Sequence, residues 1–529
     1  MCNRETIEKT LNDTVAYRDK LFAYGYIYGE CCFNVSAYPF FGGWKQEKIC
    51  VGGQETKNQL LVSSQLHYWI HEEDTYTMVL LGHAYNPFSG QEKEEEILET
   101  VSRRIKEKKN FFEYFNQLTG CFTLLFVDKE NLYILGDATG IQTTYYGIIN
   151  GKRYVSSHMR LLGDILHLDK AQYIEKLTSY KYYPLLGNAL PGDLSAFEEV
   201  KRVIPNHYVK LTHNEVEIFR FFYPTTLSLQ KTEIVDKVGN ILKNSLQIIA
   251  KKWKKPAISL TGGCDSKTTL ACAKDVYNDF NYFSYISSEE EKIDAEGAKF
   301  ICEHLGLTHS IYHIPMEDGD LENIETHRDI LFWNTGAMRC NNKNDVRKRA
   351  YFSQINDFDV EIKSWCSEVG RAYYSKRFNG RKKFGKMTPR KCTTMYKFFL
   401  HNRKLVRETD KVFKDYIATY FQQAVENAIP WQEQFFWEFR MSSWNGNVIT
   451  GEHRYSFDIT IPYNNRLLLQ LLLSVPLEDR IEDAVYKAVR EKMNSEIDKA
   501  GIAIQNLKHT KKRAMMENLY YAIHSKLPF

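Results

Sequence analysis

The hydrophobic pattern in the first third of the chain consists of short apolar runs, which predict β-strands. Between Tyr24 and about Ile165 these runs lie at residues 26–28, 77–81, 122–127 and 132–135. One helical segment, 92–108, lies between the second and third runs. Apolar residues at approximately helical spacing over residues 5–22 precede these runs. Together these elements predict an N-terminal helix followed by an α+β region.

Further along the chain, the pattern predicts helices and strands in alternation. A helical stripe covers residues 231–251, and the apolar run 256–260 then leads into a segment with helical composition. A second apolar run at 280–285 precedes a helix that ends near Gly306. This order predicts a parallel, doubly wound sheet, in which ligands bind at the carboxyl ends of the strands. Closing helices are predicted at residues 467–473 and 482–493.

The candidate chemistry is concentrated in the sequence Thr-Gly-Gly-Cys-Asp-Ser at residues 261–266, where a strand is predicted to turn into a helix. A helix N-terminus attracts phosphates, and glycines allow their close approach. Asp265 would face those phosphates, so a cation is expected between them, and Mg²⁺ suits carboxylate and phosphate oxygens. The P-loop pattern is disfavoured because Ser266 stands where it needs glycine. A glycine turn without a ligand is the alternative.

This loop resembles the S-G-G-x-D-S sequence of the asparagine synthetase family, with Thr261 in place of the first serine. The N-terminal region carries landmarks that are similar to the amidotransferase domain of that family. They are G-x-x-Y-N at 82–86, L-x-G-x-F at 118–122, and Asp137 and Gly140 followed by Tyr145 and Tyr146. The resemblance implies an αββα domain of the Ntn-amidohydrolase type over residues 1–210. It implies a doubly wound ATP pyrophosphatase domain over residues 211–529.

The resemblance also implies which residues bind the nucleotide and the metal. ATP and pyrophosphate are expected to contact Ser259, Leu260, Thr261, Gly262, Gly263, Asp265, Ser266, Ser284 and Gly370. Asp265 and Glu368 are the expected Mg²⁺ ligands. Arg371 stands where family members carry a second acid. Because a guanidinium can hold a phosphate but not a metal, Arg371 is expected to contact phosphate or substrate, or else to lie exposed on a loop.

Two further catalytic candidates come from the C-terminal part of the resemblance. Glu452 lies in a segment similar to the E-x-R-x-P-F-L-D sequence of the family, and it would either shape the acyl pocket or pair with Arg454. Lys487 is the candidate for the lysine of the K-x-x-L-R helix, which stabilises charge during adenylation. Alignment on Arg490 places Tyr486 at that position instead, and one residue is a rotation of about a hundred degrees on a helix.

The glutaminase chemistry of the family is not expected in this chain. Active members begin with a catalytic cysteine followed closely by glycine and isoleucine, and they clamp glutamine with an arginine. Here Cys2 is followed by Asn3, and the sequence has no arginine between Arg18 and Arg103. The N-terminal domain is therefore expected to be a structural remnant.

Composition bounds the remaining possibilities. The 529 residues are 43% hydrophobic, enough for the cores of two to four domains, and the net charge of +4 says little about partners. Eleven cysteines without a C-x-x-C pair predict reduced thiols. The lack of a membrane-length apolar run or a secretion signal predicts a cytoplasmic location. Residues 376–411 hold thirteen Lys or Arg residues, which predict either recognition of an anionic partner or a solvated insertion.

The resemblance, together with the phosphate-binding loop, implies an ATP-dependent, AMP-forming ligase that adenylates a substrate carboxylate and transfers it to an amine. The product would be a lactam, macrolactam or amide, as for the β-lactam synthetase and lasso peptide cyclase members of the family. The expected partners are ATP, the acid and the amine, with a peptide or an anionic molecule as a candidate substrate, a homodimer as a candidate assembly, and no membrane. Two alternatives stay open: carbonyl adenylation of a nucleic acid or glycan, and a catalytically degenerate partner subunit.

Overall fold

The computed structural model describes residues 4–54, 56–183, 189–336, 343–396, 402–421, 425–500 and 510–527. Two antiparallel sheets occupy the N-terminal part of this chain, and one parallel sheet occupies the C-terminal part. The protein is therefore a mixed α and β structure whose two parts differ in sheet type.

The antiparallel sheets have six strands each. The strands are β1 (Tyr26–Gly29), β2 (Lys45–Lys48), β3 (Gln59–Val62), β4 (Tyr68–Glu72), β5 (Tyr76–Tyr85), β6 (Thr119–Asp128), β7 (Leu132–Gly136), β8 (Tyr145–Ile149), β9 (Lys152–Ser156), β10 (Lys201–Arg202), β11 (His207–Leu211) and β12 (Val216–Arg220). The first sheet has the order β10-β8-β9-β1-β3-β2, and the second has the order β12-β11-β7-β6-β5-β4. The four predicted apolar runs lie in β1, β5, β6 and β7.

The two sheets face each other across an apolar layer, to which Tyr26 and Val62 contribute from the first sheet and Leu81 and Leu125 from the second. Helices cover both outer faces, because each sheet presents apolar residues there as well. The covering helices are α1 (Arg4–Asp13), α4 (Met159–Ile165) and α5 (Gln172–Thr178) on the first sheet, and α2 (Glu94–Lys106) and α3 (Phe112–Phe115) on the second. The layers thus follow the order αββα.

Two boundaries differ from those predicted. The second sheet continues beyond residue 210, because β12 pairs with β11 along its whole length and ends at Arg220. The first helix ends at Asp13 rather than near Phe22, and a short 3₁₀ turn, Val15–Tyr17, follows it.

The C-terminal part is built on five parallel strands. They are β13 (Pro256–Ser259), β14 (Asn281–Ile286), β15 (His309–His313), β16 (Val360–Ile362) and β17 (Asp458–Thr460), in the order β15-β14-β13-β16-β17. The helices are α6 (Lys231–Lys252), α7 (Cys264–Cys272), α8 (Glu289–His304), α9 (Ile324–Asn334), α10 (Lys343–Phe352), α11 (Tyr373–Arg377), α12 (Pro389–Tyr396), α13 (Arg403–Tyr420), α14 (Trp431–Phe435), α15 (Gly446–Gly451), α16 (Arg466–Leu473), α17 (Leu477–Ile481), α18 (Ala484–Asn494), α19 (Glu496–Lys499) and α20 (Lys511–His524). A π-helical segment, Phe436–Asn445, joins α14 to α15.

Alternate residues of the parallel strands face opposite sides of the sheet. Ile258 and Ile362 lie in the large core formed with α6, α7 and α18. Ala257 and Phe283 lie in a smaller core together with Phe352 of α10. Both faces of the sheet are therefore covered, as a parallel sheet requires.

Polar side chains join the antiparallel part to the parallel part. Arg466, fully buried at the start of α16, donates hydrogen bonds to the main-chain oxygens of Gly136 (2.8 Å) and Asp137 (2.9 Å). Glu438 of the π-helical segment accepts two hydrogen bonds from Arg220 of β12, at 2.6 and 2.8 Å. These contacts hold α16 and the π-helical segment against the second antiparallel sheet.

Three composition-based predictions can be compared with this structure. All nine cysteines within the described ranges are free thiols. In the part of the chain that the structure describes, no helix is both long and apolar enough to cross a membrane. In the basic stretch, residues 397–401 lie outside the described residues, and Lys376, Arg377, Lys382 and Arg390 are each ion-paired with a carboxylate. Part of its charge is therefore neutralised within the chain.

Candidate functional site

The bend between β13 and α7 lies at the carboxyl end of the central strand of the parallel sheet. Its residues, 261–266, include an exposed Thr261 and a buried Gly262, and α7 begins directly after Gly263. Phosphates bind at this place in open α/β sheets because the helix N-terminus carries partial positive charge. The strand-to-helix turn predicted from the two glycines is thus present.

Side-chain hydrogen bonds fix the shape of the bend. Ser266 Oγ donates to the main-chain oxygen of Thr261 at 2.8 Å and accepts from the Thr261 N–H at 3.2 Å. Thr261 Oγ1 accepts from the Gly263 N–H at 3.1 Å. A Cβ at residue 263 would lie only 3.0 Å from that hydroxyl, so glycine is favoured there. The hydroxyl of Thr261 therefore has a structural role in the bend.

Arg371 connects the bend to α18 through two carboxylates. Its Nη1 donates to Asp265, and its Nε and Nη2 donate to Asp483 at 2.9 and 2.8 Å. Lys376 Nζ donates to the same Asp483 carboxylate at 2.6 Å. Burial raises the pKa of Asp483, but the hydrogen bonds and charges of Arg371 and Lys376 outweigh it and lower that pKa below its usual value. Arg371 is therefore the centre of an ion-pair network, and the alternative of an arginine exposed on a loop does not apply.

Asp265 and Glu368 form a pair of neighbouring acids beside the bend. Burial and then the charge of Asp265 raise the pKa of Glu368 to about 7. Asp265 Oδ1 and Glu368 Oε2 are both buried and have no hydrogen-bond partner among the described residues. Two such oxygens suit a hard cation. No group of three or more metal-ligating side chains was found within the described ranges.

Ser284, on the neighbouring strand β14, is close to the start of the bend. Its hydroxyl donates to the main-chain oxygen of Leu260 at 2.7 Å and lies 2.9 Å from His309 Nε2. Burial lowers the pKa of His309 to about 4, so the imidazole is neutral near pH 7. The Ser284 hydroxyl thus links β14 to the strand that leads into the bend.

Two residues of α18 other than the predicted Lys487 make contacts near the bend. Lys487 is exposed. Its buried neighbour Tyr486 donates from its hydroxyl to the main-chain oxygen of Ser367 at 2.7 Å. Arg490 Nη1 lies 3.2 Å from Cys264 Sγ and 3.1 Å from Thr268 Oγ1, in the first turns of α7. The contacts of α18 near the bend are thus made by Tyr486 and Arg490.

Gly370, predicted to bind the nucleotide, is buried against other parts of the chain. A Cβ there would lie 2.6 Å from Leu472 Cβ and 2.9 Å from the Tyr486 hydroxyl. Glycine at this position therefore allows α16 and α18 to approach the segment that carries Glu368 and Arg371.

Glu452 lies buried at the C-terminal end of α15. The nearby Arg454 pairs with Asp458 at 3.1 Å and donates to Gln142 of the antiparallel part. The printed partners of Arg454 are thus Asp458, four residues later, and Gln142 across the interface between the two parts. Arg454 belongs to the packing between the two parts of the chain.

Two members of the network have no signal in the sequence. Asp483 stands in the short link between α17 and α18, outside any motif, and it contacts Arg371 across 112 positions of the chain. Lys376 was assigned only to the basic stretch. Tyr486 did have a signal, because alignment on Arg490 placed it at the position that faces the bend.

No protein-family model and no curated protein matches this chain. Distant likeness was found to several solved structures, including three enzymes. One is an allosteric regulatory enzyme of purine biosynthesis, with 9% sequence identity and a TM-score of 0.26 over 45% of this chain and 60% of that chain. The second is glutamine PRPP amidotransferase from B. subtilis complexed with ADP and GMP, with 10% identity and a TM-score of 0.25 over 67% of this chain and 77% of that chain. The third is glutamine-dependent NAD+ synthetase from Acinetobacter baumannii in complex with ADP, with 12% identity and a TM-score of 0.21 over 65% of this chain and 64% of that chain. The chain thus spans less than two thirds of the first and third structures. At these TM-scores the likeness identifies neither a family nor an activity.

Proposed function

We propose that this chain is an ATP-dependent, AMP-forming amide ligase, which adenylates a substrate carboxylate and transfers the acyl group to an amine. The observation that supports this most directly is the glycine bend at the carboxyl end of β13, with the acid pair Asp265 and Glu368 beside it. A phosphate-attracting helix N-terminus next to two carboxylates suits a nucleotide held together with a cation.

In this proposal the substrate carboxylate attacks the α-phosphorus of ATP, and the bond from that phosphorus to the bridging oxygen of pyrophosphate breaks. The amine nitrogen then attacks the acyl carbon, loses a proton to solvent, and AMP leaves. The bend at 261–266 binds the phosphates through N–H groups and the helix dipole. Arg371 donates hydrogen bonds to anions, and it exchanges Asp265 for a phosphate oxygen when ATP binds.

Mg²⁺ fits the acid pair, because Asp265 Oδ1 and Glu368 Oε2 are buried acceptors without hydrogen-bond partners among the described residues. These two residues would hold it, and when bound it would neutralise phosphate charge. Since Glu368 has a pKa of about 7, it must lose a proton to act as a ligand. The affinity for the cation is therefore expected to rise with pH around neutrality.

The nitrogen in this proposal comes from free ammonia, from a separate protein, or from an amine of the substrate itself. The chain has no arginine between Arg18 and Arg103, so the glutamine clamp of the resembling family has no counterpart there. We therefore expect no glutaminase activity. The αββα part would then serve as a support for the parallel sheet, with which it shares the buried contacts of Arg466 and Glu438.

The test is to measure AMP and pyrophosphate release from MgATP over a panel of carboxylic acids and amines. Wild-type protein is expected to release both, and Asp265→Asn is expected to release neither. Asp275→Asn is a matched control, since Asp275 is about half exposed and pairs with Lys243 at the protein surface. Failure of the wild type to bind MgATP, or full AMP formation by Asp265→Asn, would contradict the proposal.

A catalytically degenerate partner subunit is a second candidate, and two observations favour it. Arg371 already pairs with the Asp265 carboxylate, and Lys487 stands one residue away from the position at which the resemblance implies a lysine. This candidate predicts a protein that binds MgATP weakly or not at all and releases no pyrophosphate with any substrate. Within the described part of the basic stretch, Lys376 and Arg390 are paired with carboxylates, so these two cations do not support carbonyl adenylation of a nucleic acid.

A further inference from the structure

A cavity of about 710 Å³ lies on the outer face of the second antiparallel sheet. Its walls come from β5, β6, β7 and β11, from α2, and from residues 108–112. Small-molecule sites in proteins have volumes of about 300 to 1,000 Å³, so this space, the outer cavity, is large enough to be one. None of its described lining residues belongs to the bend at 261–266 or to the acid pair beside it.

Five aromatic rings form one continuous side of the outer cavity. The ring centroids of Phe126 and Tyr133 are 5.5 Å apart, and those of Tyr133 and Tyr208 are 6.3 Å apart. The rings of Tyr208 and Phe112 follow at 5.7 Å, and those of Phe112 and Phe111 at 4.2 Å. All five side chains are only partly buried. They therefore offer ring faces and edges to a planar ligand, which aromatic rings attract by stacked and edge-to-face contacts.

The rest of the outer cavity is lined mainly by aliphatic side chains. Met78 and Leu124 contribute from the sheet, and Val101 contributes from α2, all of them buried. Ile105 lies one turn further along α2 and is partly buried. Apolar surface that faces water costs free energy, which a ligand recovers when it covers that surface.

The loop beside the outer cavity is held in place by hydrogen bonds. Arg104 donates to Glu113 at 2.9 Å and to the main-chain oxygen of Asn110 at 3.4 Å. The Lys109 N–H donates to the main-chain oxygen of Arg104 at 2.8 Å, and Asn110 Oδ1 accepts from the Phe112 N–H at 3.0 Å. The cavity is therefore preformed, as ligand sites usually are.

One lysine that lines the outer cavity is available to an anion. Lys109 pairs with Glu107 at 2.8 Å, and Asp128 accepts hydrogen bonds from the Asn131 N–H at 2.7 Å and from its side-chain amide at 3.1 Å. Lys108 is exposed and its side chain makes no ion pair or hydrogen bond within the described ranges. Its φ of 53° lies in the left-handed region, where a glycine is favoured after a helix, yet the chain has a lysine there.

We propose that the outer cavity binds a planar aromatic molecule that carries one acidic group. The rings of the ligand contact the aromatic side of the cavity, and the acidic group lies next to Lys108. Burial of the rings supplies most of the affinity, because an exposed ion pair contributes little. This site is independent of the proposed ligase chemistry, since it lies in the αββα part and shares no residue with the bend.

The test titrates the full chain with two fluorescent probes that have the same aromatic body. Anilinonaphthalene sulfonate (ANS) carries one negative charge, and phenylnaphthylamine carries none. The wild type is expected to bind one ANS molecule per chain, more tightly than phenylnaphthylamine, and the affinity for ANS should fall as salt screens Lys108. ANS should also raise the Tm, because a ligand that binds only the folded state stabilises it.

Two variants locate the site. Ile105→Trp is expected to weaken binding of both probes at least about tenfold, because the indole fills the cavity. Lys108→Gln is expected to weaken binding of ANS by about threefold and to leave phenylnaphthylamine unchanged. Lys255→Gln is the matched control for the loss of charge, since it removes an exposed lysine of the parallel part, and it should bind both probes as the wild type does.

Phe111→Ala removes one ring from the aromatic side and is expected to weaken both probes, so the test stays decisive if Ile105→Trp does not fold. Unchanged affinity for ANS in a folded Ile105→Trp variant, or in Phe111→Ala, would overturn the site. Equal affinity of the wild type for the two probes would overturn the acidic group of the ligand. A wild type that is dimeric without ligand, together with a monomeric Ile105→Trp variant, would assign the outer cavity to a second copy of the chain and overturn the small-molecule ligand.

Discussion

Arg371 pairs with Asp265, the carboxylate that follows the glycine bend, and both side chains are only about one fifth exposed (22% and 23%). The same guanidinium bonds to Asp483 through its other two nitrogens. An arginine at this position therefore fixes the first turn of α7 against the start of α18. In the unliganded protein, this contact also occupies the acid that the proposed chemistry needs.

Arg371→Met is expected to lower the free energy of unfolding by about 2 kcal/mol at pH 7, because two partly buried carboxylates lose their common cation. Urea unfolding followed by circular dichroism measures this change. Lys382→Met is the matched control, because Lys382 and Glu478 form a pair that is more than half exposed. The control is expected to change stability by less than about 0.5 kcal/mol. Equal losses in the two variants would contradict a structural role of the Arg371 network.

The bend itself could be predicted from the sequence because its signals are local. A β-prone run, two glycines and a helix-compatible segment specify a strand-to-helix turn within about ten residues, and β13 and α7 lie on either side of the glycines as expected. The apolar runs of the antiparallel sheets were predictable for the same reason. Each element was defined by its own side chains.

The contacts of the site could not be predicted in this way. Asp483 reaches Arg371 only because α17 and α18 fold back on the parallel sheet, and no local pattern records that approach. A shift of one residue in the alignment rotates the choice by about a hundred degrees around α18, so the sequence alone does not decide between Tyr486 and Lys487. β12 was missed because its residues are mostly half-exposed and give a weak pattern.

Thr261→Val is expected to weaken MgATP binding about tenfold, because the bend loses the hydroxyl that accepts the Gly263 N–H, and tenfold corresponds to about 1.4 kcal/mol. Thr261→Ser keeps that hydroxyl and should bind as the wild type does. Titration with a fluorescent ATP analogue in excess Mg²⁺ compares the three proteins. Unchanged affinity in the valine variant would show that the hydroxyl does not order the bend for the nucleotide.

Glu438→Gln is expected to destabilise the protein by about 3 kcal/mol, because it leaves the buried Arg220 guanidinium without its anion. Chemical denaturation at pH 7 measures the loss. Glu217→Gln offers a comparison on the neighbouring β11–β12 hairpin, where Glu217 pairs with Lys210 at the surface. That variant should lose less than about 0.5 kcal/mol. A small effect of Glu438→Gln would mean that water, rather than Glu438, compensates Arg220.

His158 is expected to make the protein sensitive to acid. Burial lowers its pKa to about 3, so the folded state keeps it neutral while the unfolded state binds a proton below about pH 6.5. Its contribution to stability is therefore complete above pH 6.5 and decreases as the pH falls toward 3. Between pH 7.5 and 5, His158→Gln should lose about 2 kcal/mol less stability than the wild type. Parallel pH profiles of the two proteins would contradict this.

The choice between Lys487 and Arg490 decides which residue of α18 supports the bend. Arg490 contacts Cys264 and Thr268 at the start of α7 and pairs with Asp498 at 2.9 Å, whereas Lys487 is exposed. Arg490→Met is therefore expected to lower the Tm by several degrees and to weaken MgATP binding, because the first turn of α7 loses its support. Lys487→Met should match the wild type in both measurements. Lys487→Met could instead abolish pyrophosphate release while leaving the Tm unchanged. That result would mean that Lys487 reaches the reacting phosphate only when MgATP and substrate are bound, and it would contradict the choice of Arg490.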